Sequence, residues 1–118
     1  MRANLEDYYI LEKLFLENNL IIIFQYSLDI HERRVLELNE VVGFINKSDN
    51  DEFKTLRVDE GPGGSYPFDL SLRLQRPEIA NFPEAFFFTD KEETHFSFRA
   101  CAKSIHYRQW TEKDTWLK

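Results

Sequence analysis

Three histidines, one cysteine and the acids near them are the side chains best able to do chemistry in this chain of 118 residues. His95 and His106 stand eleven positions apart. On neighbouring strands they would approach each other. With Glu92 or Glu93 either would then form an acid–base pair that moves a proton without a metal. Cys101 with His106 would make a nucleophile and its base. Neither arrangement carries a local signature, and spacing alone fixes no geometry. No two of His31, His95 and His106 have the spacing of a helical zinc site, and Cys101 has no CxxC companion, so no metal or other cofactor is expected. A small enzyme or ligand-binding domain built on His95, His106 and Glu93 is therefore the second reading of this chain.

The stretch "GPGGS" at 61–65 invites a phosphate cradle. It lacks the Lys-Ser/Thr ending of a P-loop, and Pro62 and Pro67 remove two backbone donors. A strand-connecting loop is expected there, with Tyr66 as the aromatic best placed to meet a partner. The last twenty residues mix five bases and two acids with Tyr107, Trp110 and Trp116, a pattern seen in nucleic-acid binding. The chain's net charge of −6 argues against that use.

The charge is unevenly placed. Residues 1–60 hold 13 acids and 7 bases, and residues 61–118 hold 8 of each. The densest negative block is "DNDEFKTLRVDE", Asp49 to Glu60, with five acids and two bases. An acidic surface repels nucleic acid and steers cationic partners. The candidate partner-binding residues are therefore Asp49, Asp51, Glu52, Asp59 and Glu60, with Tyr66 and Phe87 as aromatic anchors. The expected function is a small acidic, cytoplasmic, protein-binding inhibitor. A bacterial immunity protein or antitoxin that neutralises a basic, nuclease-type toxin fits these features best.

These residues need a scaffold. The length suits a single domain, 1–118, that buries one core. One Cys precludes an internal disulfide and suits a reducing cytoplasm. The first residues do not resemble a signal peptide, and the longest apolar run, Leu20 to Phe24, is far short of a membrane span, so no membrane partner is expected.

The expected fold class is α+β: an N-terminal helix, or two, packed on a mostly antiparallel sheet of about four to six strands. The first helix is placed at Leu5 to Asn18. On a helical wheel Leu5, Tyr8, Tyr9, Leu11, Phe15 and Leu16 share a wide face, with Ile10 and Leu14 almost opposite. A helix apolar on two sides is deeply buried or shared with a partner. Leu20 to Leu28 reads as a central strand. Residues 30–46 repeat Val35, Leu38, Val42 and Ile45 at helical spacing, with a hairpin as the rival. "FKTLRV" reads as a short strand, and "FDLSLRL" alternates as a strand does.

Six of the eleven Phe residues fall between Phe82 and Phe98. "AFFFT" and "THFSFRA" form a hairpin. An odd-length loop puts Phe86, Phe88, Phe96 and Phe98 on the buried face and leaves Phe87 on the face a partner sees.

Overall fold

The computed structural model describes residues 1–47, 53–62 and 64–117, with the side chains of 115–117 left aside. Among the described residues it is one seven-stranded antiparallel sheet with a single α-helix. The strands are β1 (Arg2–Asn4), β2 (Tyr8–Leu16), β3 (Asn19–Tyr26), β4 (Arg33–Asn46), β5 (Thr55–Asp59), β6 (Glu84–Phe88) and β7 (Phe96–Gln109), in the order β1-β5-β6-β7-β4-β3-β2. Two three-stranded meanders, β2-β3-β4 and β5-β6-β7, are joined by the long β4–β7 ladder, which runs from Arg34 opposite Gln109 to Asn46 opposite Phe98.

The order forces a curl. β1 and β2 are the two ends of the sheet, yet only Leu5, Glu6 and Asp7 connect them. A flat sheet would hold its outer strands about 29 Å apart, whereas the connection spans about 14 Å when fully extended. The sheet must therefore wrap round until its edges approach. The backbone shows the crossing: Leu5 N donates to Lys54 O (2.8 Å) on the β5 side, and Ser27 N donates to Asp7 O (2.8 Å) on the β3 side.

The expected N-terminal helix is overturned: the segment is β2, hydrogen-bonded to β3 from Tyr8 opposite Tyr26 to Leu16 opposite Asn19. Glu17 and Asn18 form the two-residue turn, with Glu17 at φ 58°. Apolarity on two sides of a helical wheel is what a strand with both faces apolar looks like. The second expected helix is overturned as well, since 33–46 is β4. Leu36 and Leu38 face inward. Glu40, at φ 53°, and a bulge between Val41 and Gly43 break the alternation. That break puts Leu38 and Val41 on one face three residues apart, which imitates a helix.

"FDLSLRL" fails in the opposite sense and lies in helix α1, Ser65–Arg73. Pro67 falls in the first turn, where it is tolerated. Tyr66 and Leu70 pack against Ile79, Phe82, Cys101 and Val42 on the outside of the sheet, while Phe68 and Leu72 stay exposed. The alternation was real, but of its apolar residues only Leu70 packs inward, while Phe68, Leu72 and Leu74 face water. A 3₁₀ turn, Pro77–Asn81, leads from α1 into β6.

The curl gives the sheet an inside, filled by Leu5, Leu20, Ile22, Phe24, Leu36, Leu38, Leu56, Phe87, Phe98 and their neighbours. The β6–β7 loop, residues 90–94, is odd in length, and Phe88 pairs with Phe96 as that register requires. A bulge then shifts the ladder, so Phe87 pairs with Phe98. Phe98 therefore does not join Phe86, Phe88 and Phe96. It turns inward with Phe87, whose ring centroid lies 5.0 Å away. Phe87, expected to face a partner, is 3% exposed and packs on Phe24 and Phe53.

No helix among the described residues is long and apolar enough to cross a membrane.

Candidate functional site

On the outer face of β5, β6 and β7 the register sets Arg57 and Arg99 on either side of Phe86. The Arg57 guanidinium carbon stands 4.7 Å from the Phe86 ring centre and 5.0 Å from Phe88. Arg99 stands 4.9 Å from Phe86 and 5.0 Å from Tyr66. These cations cover rings that would otherwise meet water, and each contact is worth about 0.5–2 kcal/mol. Their charges are met by carboxylates. Arg99 Nε donates to Glu84 Oε1 at 2.8 Å, and Arg57 Nη1 donates to Glu93 Oε2 at 2.8 Å. Arg57 Nε also lies 3.0 Å from Asp59 Oδ1, though off the hydrogen-bond direction.

At the end of β5 this face turns into a cleft of about 390 Å³, whose walls include Val58, Asp59, Glu60, Gly61, Gly64 and Glu84. A second cleft, of about 450 Å³, shares Met1, Val58 and Glu60 with it and adds Glu37, His106 and Arg108. Two glycines permit the close packing here. A Cβ on Gly61 would lie 2.1 Å from Asn81 O, and one on Gly64 would lie 2.6 Å from Glu84 Oε2. The loop is thereby seated on the end of the 3₁₀ turn and on β6, and it serves as a rim rather than a phosphate cradle.

Glu84 is 3% exposed and paired with Arg99, so it is a floor group. Asp59 is half-exposed beside Arg57. Glu60 is exposed and, among the described residues, has no ion-pair partner. The structure thus brings Asp59 and Glu60 to one rim. Tyr66 stands close by, but its ring lies under Arg99 and is half-buried, with its hydroxyl pushed up mainly by burial. Asp49, Asp51 and Glu52 fall outside the described residues. Phe87 is in the core, away from this surface.

The residues of the enzymatic reading do not converge. His95 and His106 belong to one continuous stretch, His95 just before β7 and His106 near its end, so roughly 36 Å of strand separates them. The His95 side chain is 82% exposed and stands 3.7 Å from Asp90. Glu93 is bound by Arg2 and Arg57, and Arg2 foremost holds its carboxyl below the usual range. Burial pushes the Cys101 thiol up to about 12, so it stays protonated at neutral pH and is a poor nucleophile. Among the described residues no group of three or more His, Cys, Asp or Glu is arranged to hold a metal ion.

Sequence reasoning missed Arg57, Arg99 and Glu84, which build the floor of the site. The available signal was the parity of β6, where Glu84, Phe86 and Phe88 alternate with two inward residues, Ala85 and Phe87.

No protein-family profile, curated protein or solved structure matches the chain.

Proposed function

We propose that this chain is a protein-binding inhibitor of a basic partner, of the bacterial immunity-protein or antitoxin kind, directed at a nuclease-type toxin. The observation that carries this reading is the rim at the end of β5. There an exposed carboxylate without an ion-pair partner among the described residues, Glu60, lines both clefts, and half-exposed Asp59 beside it lines the first. Asp59 is the last residue of β5, and Glu60 follows it directly before Gly61, whose backbone packs closely on Asn81. A pre-positioned carboxylate pair on an acidic chain complements the basic substrate cleft of a nuclease and speeds encounter with it. Nucleic acid itself is disfavoured as a ligand by the same charge.

The test is an inhibition assay. The purified chain is titrated into a panel of basic nuclease toxin domains, and cleavage of a labelled nucleic acid is followed. The reading expects stoichiometric inhibition of at least one domain, weakened by Glu60→Lys. Failure to inhibit any of them, with nuclease activity intact, would remove the toxin assignment. Inhibition untouched by Glu60→Lys would move the site elsewhere.

A further inference from the structure

We infer that β2 is a docking edge for a second copy of this chain, which extends the sheet across a two-fold axis. β2 ends the strand order, so its outer backbone groups have no strand partner among the described residues. Natural sheet edges are usually kept short, charged or covered. This one is nine residues long and carries large apolar groups on both faces: Tyr9 is 49% exposed, Leu11 40%, Phe15 54% and Leu16 39%. Phe44, from the overhanging end of β4, adds a ring 51% exposed whose centroid is 6.1 Å from that of Phe15.

The pattern of β2 selects the occupant. Two copies paired antiparallel about an axis normal to the sheet must match residues of the same face. The ladder with β3 places Phe15 beside inward-facing Leu20, and Leu14 beside outward-facing Ile21. With the axis at Phe15, each Phe15 meets the partner's Phe15, each Leu14 meets the partner's Leu16, and each Lys13 meets the partner's Glu17. The pairs that lie within β2 are then apolar on apolar, and Lys13 comes opposite a residue of the other sign, Glu17, the first residue of the partner's turn. An axis at Leu14 sets Glu12 against the partner's Leu16 and Lys13 against the partner's Phe15. An axis at Lys13 sets lysine against lysine. One register is therefore favoured over its neighbours. The turn at Glu17 and Asn18 ends the ladder, which therefore holds Leu14, Phe15 and Leu16 of each copy. Four rings, Phe15 and Phe44 from each copy, would close over the axis on the inner face.

Sedimentation velocity of the full chain over a concentration series tests this, with circular dichroism on every variant. The wild type should shift from one to two chain masses, with a midpoint of about 1–100 µM for so small an interface. Phe15→Lys, at a half-exposed ring, should weaken association at least about tenfold. Glu17→Lys should weaken it by facing Lys13 with a like charge, and adding Lys13→Glu should restore it. A wild type that stays monomeric to about 500 µM, five times the top of that range, overturns the inference. So does a dimer that ignores Phe15→Lys, which would point instead to the exposed apolar side of α1 at Phe68 and Leu72. None of these outcomes depends on whether the chain inhibits a toxin.

Discussion

Asp114 shows how much one side chain can hold. Its two oxygens accept from Arg108 Nη2 at 2.6 Å, from Arg108 Nη1 at 2.8 Å and from Thr111 N at 2.7 Å, and the residue is 3% exposed. Arg108 also reaches Glu37 on β4, so the C-terminal turn is tied to the sheet through one guanidinium. The Arg108 bond foremost holds the Asp114 carboxyl down to about 2. A carboxyl held below its unfolded value of about 3.9 adds stability above that value and loses it as pH falls. Urea midpoints measured from pH 5 down to pH 2 should therefore fall between about pH 4 and about pH 2. Asp114→Asn should be less stable at neutral pH by about 1–3 kcal/mol and should show a shallower acid decline. None of this was legible in the tail, where Trp110 and the bases stood out. Asp114 is an ordinary acid until Arg108 is brought over it. At the rings, Phe87→Ala and Phe98→Ala should each cost about 3–5 kcal/mol in urea titrations, because both empty the inside of the curl. Equal tolerance at Phe87 and at exposed Phe15 would refute that placement.

At the scale of elements, the sequence announced β3, β5 and the β6–β7 hairpin, and it misassigned β2, β4 and α1. The errors share a cause. The repeat of apolar residues distinguishes helix from strand only where one face is buried, and it is corrupted wherever both faces are apolar, wherever a bulge adds a residue, or wherever apolar groups stay exposed. β2, β4 and α1 show one case each. For α1 a helical signal was present in Asp69 and Arg73, four residues apart, whose side chains meet at 2.8 Å. Helix and strand make different predictions here. A strand would put Leu70 and Leu72 on one face. In α1, Leu70 packs on the sheet and Leu72 is 63% exposed. Leu70→Asp should therefore cost several times more than Leu72→Asp, which should stay within about 0.5 kcal/mol of the wild type. Thermal melts of the two variants decide it. Gly61→Ala should also destabilise, since its methyl would lie 2.1 Å from Asn81 O, and the β5–α1 connection would have to shift. A melt unchanged from the wild type would show that the loop is not held as described.

For the whole molecule, the closure of the sheet was the least legible feature. It depends on a chain that leaves one edge at Asn4 and joins the opposite edge at Tyr8, and on β4 finding partners in β7 that lie 52 (Asn46 to Phe98) to 75 (Arg34 to Gln109) residues later. Such long-range pairings leave no local pattern in the sequence. Asp59 and Glu60, neighbours in the sequence, line one cleft, while of the two aromatics expected beside them Phe87 turned inward and Tyr66 lies under an arginine. The central claim is that this rim recruits a basic protein. Its most direct test is the association rate with an inhibited toxin domain, measured by surface plasmon resonance at low and high salt for the wild type and for Asp59→Lys with Glu60→Lys. Rim charges act mainly on association. The wild-type rate should fall at least about tenfold between roughly 50 mM and roughly 300 mM salt, as screening shortens the reach of the carboxylates. The double variant should be slow at low salt and nearly indifferent to salt. A double variant that associates as fast as the wild type at low salt, with its fold intact, would contradict the claim.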